Sequence, residues 1–182
     1  MLLEKRKVFL YIAMSLDGYI ASPDESLNFL SIVEKPGEDY GYNDFIESVD
    51  AVILGRKTYD KVMSMGVKFP HIYKDTYIIT RSTRPDIGNI KFYSGGIKDL
   101  VVSLKRESGK HIFIDGGAEI VNELLKDNLI DEFIISVIPI LLGDGIALFK
   151  DGRPEQRLKF VSSKAFDTGL VQLHYRASNE FN

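Results

Sequence analysis

Glycine, basic residues and hydroxyls recur together at three points in this 182-residue chain, each directly behind a short apolar run. The first is Gly55-Arg56-Lys57-Thr58-Tyr59, after Ala51-Val52-Ile53-Leu54. A glycine lets backbone come close to an anion, a helix starting there offers free N–H groups, and Arg56, Lys57 and Thr58 add charge and a hydroxyl. The combination suits a pyrophosphate; it equally describes a glycine turn in which Thr58 caps a helix beside solvated basic residues. The second is Ile114-Asp115-Gly116-Gly117-Ala118-Glu119. Paired glycines permit unusual backbone geometry and close approach of a flat ring or a phosphate. The three-glycine dinucleotide fingerprint is not completed, and a plain helix entrance fits the same residues.

The third segment, Thr80-Arg81-Ser82-Thr83-Arg84, follows Tyr77-Ile78-Ile79. Two arginines interleaved with hydroxyls suit an isolated phosphate, such as the adenosine 2′-phosphate that separates NADPH from NADH. Alone it reads as a polar loop; its weight comes from three phosphate-compatible loops on one topological edge. Asp17 and Asp144 each precede a glycine, which is turn chemistry. Asp144 is read as a turn, whereas Asp17, at the end of the first apolar run, is a candidate to face a substrate.

The elements that must position these loops follow from periodicity. Apolar runs at Val8 to Ala13, Ala51 to Leu54, Thr76 to Thr80, Ile90 to Tyr93, His111 to Ile114 and Phe133 to Ile138 predict strands buried on both faces of a largely parallel sheet. Between them, Tyr42, Phe45, Ile46 and Val49, then Ile97, Leu100, Val101 and Leu104, then Ala118, Val121, Leu124 and Leu125 fall at helical spacing. Repeated strand-helix-strand units predict an α/β fold. Leu158 to Val161 and the alternating Val171, Leu173, Tyr175 flank Asp167-Thr168-Gly169, predicting an antiparallel hairpin at the sheet edge.

Composition narrows the function classes. A formal net charge of −3 with scattered Lys and Arg gives no pull toward nucleic acid. The absence of cysteine excludes a disulfide framework and thiolate chemistry, and His71, His111 and His174 have no paired ligand spacing, so no metal is expected. Lys5-Arg6-Lys7 before an apolar run has the outline of a signal peptide, but the run is short, β-branched and closed by Asp17-Gly18, and is read as a first strand. No stretch approaches the roughly 20 apolar residues of a membrane span. A single cytoplasmic domain over residues 1–182 is expected, with a sheet and core needing no staple.

Taken in order, Ala13-Met14-Ser15-Leu16-Asp17-Gly18-Tyr19-Ile20, Gly55-Arg56-Lys57-Thr58-Tyr59, Thr80-Arg81-Ser82 and Gly116-Gly117-Ala118-Glu119-Ile120 resemble the dihydrofolate reductase superfamily across nearly the whole chain. Ser15-Leu16-Asp17-Gly18 and Pro139-Ile140-Leu141-Leu142-Gly143-Asp144-Gly145, leading to Leu148-Phe149, look more specifically like the reductase domain of the bifunctional riboflavin-biosynthesis deaminase-reductase. The resemblance implies a three-layer α/β/α fold, a homodimer through the apolar segment around Phe133 to Leu142, and NADPH as hydride donor. It implies that Ala13 and Ile20 border the nicotinamide, that Gly55, Arg56 and Thr58 hold the phosphates, and that Thr80, Arg81 and Ser82 surround the adenosine phosphate. Gly116, Gly117, Ala118, Glu119 and Ile120 would form the turn over the pyrophosphate, where the family has an often cis peptide.

On the substrate side the sequence departs from both parents. Dihydrofolate reductases place a carboxylate in the helix before the Gly-Arg-x-Thr strand, and counting back from Gly55 lands near Asp39, within Glu38-Asp39-Tyr40-Gly41-Tyr42. A partly buried Asp39 with a raised pKa would relay a proton; an Asp39 capping a helix that begins near Gly41 would not. The riboflavin reductase usually carries a Glu before the glycine pair, where this chain has Asp115, and an Asp-Asp-Pro segment that this chain lacks. Asp115 and Asp17 are the substrate-facing candidates, for hydride transfer to a C=N or C=O carbon of a small heterocyclic or sugar-derived substrate; the resemblance implies reduction of a ribosylaminopyrimidine, as by 5-amino-6-(5-phosphoribosylamino)uracil reductase, first, with dihydrofolate reduction and a non-catalytic NADP(H)-binding module as alternatives.

Overall fold

The computed structural model describes residues 5–178. Its centre is an eight-stranded sheet in the order β5-β4-β3-β6-β1-β7-β10-β9, formed by β1 (Val8–Ser15), β3 (Val49–Gly55), β4 (Asp75–Ile79), β5 (Ile90–Tyr93), β6 (His111–Gly116), β7 (Glu132–Ile138), β9 (Leu158–Ala165) and β10 (Val171–Ala177). Every pairing from β5 through to β7 is parallel; β10 pairs antiparallel with β7 and with β9. This is the mostly parallel sheet with a C-terminal antiparallel pair that the apolar runs predict. Strands β2 (Tyr19–Ala21) and β8 (Ile146–Ala147) make a separate antiparallel ribbon, too short to carry periodicity.

The continuous apolar character of the central strands has a direct cause. Along β3, Ala51 and Ile53 pack into a core with α3 (Ile97–Arg106) and α4 (Ala118–Lys126), while Val52 and Leu54 pack into a second core with α1 (Tyr42–Glu47) and α2 (Arg56–Ser64). Alternate side chains point to opposite faces, and each face is covered by helices, giving three layers. The helical spacing at Tyr42, Phe45, Ile46 and Val49 overreaches by two residues: α1 stops at Glu47 and Val49 is the buried first residue of β3. A 3-10 helix (Asn28–Val33) packs Phe29 and Val33 against Ile138 at the end of β7 and Leu170 before β10.

Strand β7 is not at the surface. It lies between β1 and β10, with Phe133, Ile135 and Ile138 buried within the same chain, so the apolar character of Phe133 to Leu142 is largely that of a central strand. Leu141, just past β7, is exposed, and a further group of exposed apolar side chains lies on the edge hairpin, at Leu158, Phe160, Val161 and Val171.

Candidate functional site

Chain direction makes the site. From β3 the chain passes through α2 outward to β4, whereas from β6 it passes through α4 the other way to β7 beyond β1. Neighbouring strands whose connections leave in opposite directions form a switch point, where open α/β sheets leave a crevice beyond their carboxyl ends. Gly55 ends β3 and Gly116 ends β6, with Leu54 in register with Gly116.

Helices α2 and α4 start at this crevice, with Gly55 and Gly117 as their N-terminal caps and no side chain capping either start. Their unbonded N–H groups and the positive ends of two helix dipoles therefore meet in one place. The approach is close: a Cβ on Gly55 would stand 3.3 Å from Ile120 Cγ1 and 4.0 Å from Gly117 N, and one on Gly117 would stand 3.2 Å from Thr58 Oγ1. Gly116 has φ +113°, a conformation that L side chains rarely adopt, and the Gly116–Gly117 peptide is cis. Gly55, Thr58, Gly116, Gly117 and Ile120, separated in sequence by about sixty positions, are thus one cradle. Ala118 and Ile120 are buried at the start of α4, whereas Glu119 turns outward and pairs with Lys150.

The third loop adjoins the cradle because β4 pairs with β3, Gly55 in register with Ile79. Thr80 is buried, and its Oγ1 accepts the Ser82 N–H at 3.2 Å, which bends the loop and leaves Arg81 and Ser82 exposed. Arg84 is tied back onto α2 through Asp60 at 3.4 Å, and Arg56 reaches the same carboxylate at 3.9 Å. Ala13 and Ile20 lie on β1 and β2, both half-buried. The residues of the three loops expected to hold a dinucleotide phosphate are thereby gathered at one sheet edge.

Asp17 has a different task from the one expected. Its carboxylate accepts Ser15 Oγ at 2.5 Å, Leu142 N at 3.1 Å and Gly143 N at 2.7 Å, and Ser15 Oγ accepts the Tyr19 N–H at 2.9 Å. The hydrogen bond from Ser15 and those from Gly143 and Leu142 hold its carboxyl below the ordinary carboxylate range. Both oxygens are engaged in docking the Pro139 to Gly145 loop onto the Ser15 to Gly18 turn. Asp144 accepts from Gly145 N at 2.8 Å, as its reading as a turn residue requires.

Asp39 needs a correction of the same kind. It is exposed, and its two oxygens accept from Gly41 N at 2.9 Å and Asn43 N at 3.1 Å, so it caps the start of α1. Those two backbone donors hold its pKa below the usual value. A proton donor would need the opposite shift, and the burial that would supply it is missing.

The carboxylate at the crevice is Asp115. Between β3 and β6 the register steps from Ile53–Ile114 to Leu54–Gly116, leaving Asp115 as the extra residue of a bulge, and bulges re-aim side chains beside functional sites. Its Oδ2 lies 3.2 Å from Nε2 of His71, a residue only 2% exposed. The Tyr42 hydroxyl on α1 is held protonated, its pKa raised first by burial and then by the charge of Asp115. His71 is the residue that sequence reasoning missed; it lies 44 positions from Asp115, and no local spacing links them.

The profile described as the RibD C-terminal domain matches residues 6–172. The chain belongs to the RibD C-terminal domain family. Within it, YwjB of Bacillus subtilis, itself uncharacterised, is 45% identical over 174 residues, covering 94% of this chain and 98% of its own. A Shewanella sp. PV-4 protein provisionally assigned to riboflavin biosynthesis has a structure with TM-score 0.86 at 30% identity, covering 95% of this chain and 99% of that one. The Thermotoga maritima diaminohydroxyphosphoribosylaminopyrimidine deaminase/5-amino-6-(5-phosphoribosylamino)uracil reductase shares the fold at TM-score 0.72 and 16% identity, covering 96% of this chain and 57% of that one. This RibD C-terminal-family chain has the fold of riboflavin-pathway reductases.

Proposed function

We propose that the chain is an NADPH-dependent oxidoreductase that reduces a small heterocyclic substrate, resembling 5-amino-6-(5-phosphoribosylamino)uracil reductase. The observation that carries this reading is the meeting of the α2 and α4 starts, where a Cβ on Gly117 would come 3.2 Å from Thr58 Oγ1 and leave less room for a pyrophosphate. Two uncapped helix N-termini favour a doubly charged diphosphate. Arg81, exposed beside them, suits the further 2′-phosphate of NADPH. When bound, the cofactor supplies a hydride from C4 of its nicotinamide ring.

The chain's own residues bind, orient and shield. Thr58 and the N–H groups after Gly55 and Gly117 hold the pyrophosphate, Thr80, Arg81 and Ser82 hold the adenosine end, and Ala13 and Ile20 border the nicotinamide. Asp115 faces the substrate. We infer a cytoplasmic homodimer; no helix among the described residues is long and apolar enough to cross a membrane.

The test is NADPH oxidation against 5-amino-6-(5-phosphoribosylamino)uracil and dihydrofolate, with direct NADPH titration beside it. Turnover of the ribosylaminopyrimidine is expected. Turnover of dihydrofolate alone would transfer the reading to that substrate, binding without turnover would make the chain a cofactor-binding module, and no NADPH binding would overturn the proposal.

A further inference from the structure

The ring of Tyr42 belongs to the core. It meets Tyr11 edge-on with centroids 5.7 Å apart, Phe113 edge-on at 6.5 Å and Phe45 at 6.3 Å. Its hydroxyl has no task of that kind: among the described residues, no group donates to it or accepts from it. The phenols beside it are spent. Tyr11 Oη donates to the Tyr40 carbonyl at 2.9 Å and accepts from Gln172 Nε2 at 3.0 Å, while Tyr40 Oη donates to the Val33 carbonyl and meets Thr168 Oγ1 at 3.0 Å. Tyr42 is half-buried, and among the described residues no fully buried side-chain polar atom lacks a partner, so its oxygen reaches solvent.

Chain direction places that hydroxyl. Tyr42 is the first residue of α1, after its cap Gly41, and α1 leads into Val49 at the start of β3. The helix therefore runs from the carboxyl edge of the parallel strands toward their amino edge, with Tyr42 at the crevice end. Beneath its ring lie Tyr11 of β1 and Phe113 of β6. Two positions further along these strands come Ala13 and Asp115, on the same face because alternate residues share one. His71, in contact with both Phe113 and Asp115, shows this directly for β6. Ala13 and Asp115 are half-buried, so α1 stops covering the sheet at Tyr42 and the face opens beyond it. After burial, the charge of Asp115 is the next influence that raises the Tyr42 pKa, which makes the two neighbours and keeps the hydroxyl protonated.

A protonated phenol with no acceptor in the protein is satisfied by water while the crevice is open. A planar ring that enters and expels this water leaves the donor unmet unless it brings an acceptor, and an unmet donor away from water costs more than a hydrogen bond gains. We propose that Tyr42 is a substrate-binding residue whose hydroxyl donates to a ring carbonyl oxygen of the heterocycle, and so selects for an oxo substituent at that position. The inference rests on the reductase reading and adds a chemical class to it, a lactam-type ring such as a pyrimidinone. A ring amino group in that place gives the phenol hydrogen no acceptor, because its lone pair is delocalised into the ring, and an apolar edge gives none either. The edge-on contacts with Tyr11 and Phe113 hold the phenol in one orientation, so the donor is aimed before substrate arrives.

The experiment compares wild type with Tyr42→Phe, which keeps the ring contacts and removes only the hydroxyl. It reads the NADPH dissociation constant, KM and kcat for 5-amino-6-(5-phosphoribosylamino)uracil, and the affinity of that pyrimidine for NADP⁺-loaded protein, where no turnover occurs. NADPH binding is expected to stay within about twofold, as for a separate site, which also shows that the variant is folded. KM and the pyrimidine dissociation constant should both rise about 3- to 10-fold, the loss of one neutral hydrogen bond, with kcat within about twofold. Thio analogues at either ring carbonyl replace an oxo oxygen by a weaker acceptor. One of them should bind wild type more weakly than the parent pyrimidine does, and Tyr42→Phe should lose that preference. If dihydrofolate proves to be the acceptor, the same KM rise is expected on its own ring carbonyl. Unchanged KM and affinity for the accepted substrate, a loss of NADPH binding in their place, or an oxo preference that survives in Tyr42→Phe would overturn the assignment of Tyr42. A wild type that binds no NADPH, or oxidises it with neither acceptor, would instead overturn the reductase reading beneath it.

Discussion

At the residue scale, charge placement decides what each ionisable group does. Arg81 stands exposed at the end of β4, next to the cradle built by Gly55 and Gly117. A charge-assisted hydrogen bond to the 2′-phosphate contributes about 1.5–3 kcal/mol, so Arg81→Ala should weaken NADPH roughly 10- to 100-fold and leave NADH nearly unchanged in a fluorescence titration. Equal losses for both would show that Arg81 does not read that phosphate. At the opposite end of the sheet, Glu132 is 1% exposed and bonds to Arg176 at 2.7 Å, His174 at 2.9 Å and Lys7 at 3.2 Å. Burial alone would raise its carboxyl, but Arg176, His174 and Lys7 outweigh burial and hold it below its ordinary value. A carboxyl depressed in the folded state stabilises fully above its unfolded pKa, near 4.3, and loses that contribution as pH falls through the folded value. Glu132→Gln should therefore cost on the order of 3 kcal/mol at pH 7, and the gap from wild type in urea midpoints should close below about pH 4. A gap that persists in acid would mean packing, not charge, is responsible.

At the scale of elements, the long periodic segments were legible and the short ones were not. Strands β3 to β7 and helices α3 and α4 carry enough apolar residues for period and length to agree, and the core contacts follow the predicted faces. The β2–β8 ribbon pairs three residues with two, so no pattern announces it. It depends on backbone proximity at Gly145, where a Cβ would stand 2.2 Å from the carbonyl oxygen of Ala21 and 3.3 Å from Tyr19 Cβ. The obstruction is backbone, which cannot swing aside as a side chain would. Gly145→Ala is expected to destabilise by about 1–3 kcal/mol, the usual cost of overpacking, read as a lower urea midpoint. An unchanged midpoint would show that the Pro139 to Gly145 loop docks without this contact. The conversion of Asp17 from substrate candidate to loop anchor belongs to the same scale, since its partners Leu142 and Gly143 lie on another segment.

At the scale of the whole molecule, the outermost strand stands out. All eight residues of β9 are exposed, with Phe160 at 62% and Leu158, Val161 and Val171 around it. An exposed edge strand bearing apolar side chains invites pairing, and a second copy of the same chain is the occupant that a homodimer requires. Sedimentation is expected to give a dimer, and Phe160→Glu to shift it toward monomer at micromolar concentration; a wild-type monomer would remove the inference. In the segment Phe133 to Leu142, Phe133, Ile135 and Ile138 are buried inside the sheet, whereas Leu141 beyond β7 is exposed.

The sequence by itself determined the α/β class, the positions of the main strands and helices, and the three glycine-bearing loops, because local periodicity and turn chemistry act within a few residues. Only the tertiary structure decided which groups share a site. Asp39 and Asp17 were taken up by neighbouring N–H donors, and Asp115 acquired His71 from 44 residues away. A carboxylate's role depends on desolvation and on the partners within hydrogen-bond reach, and in this chain both are fixed by where β6 ends and by what the loop before β4 places against it.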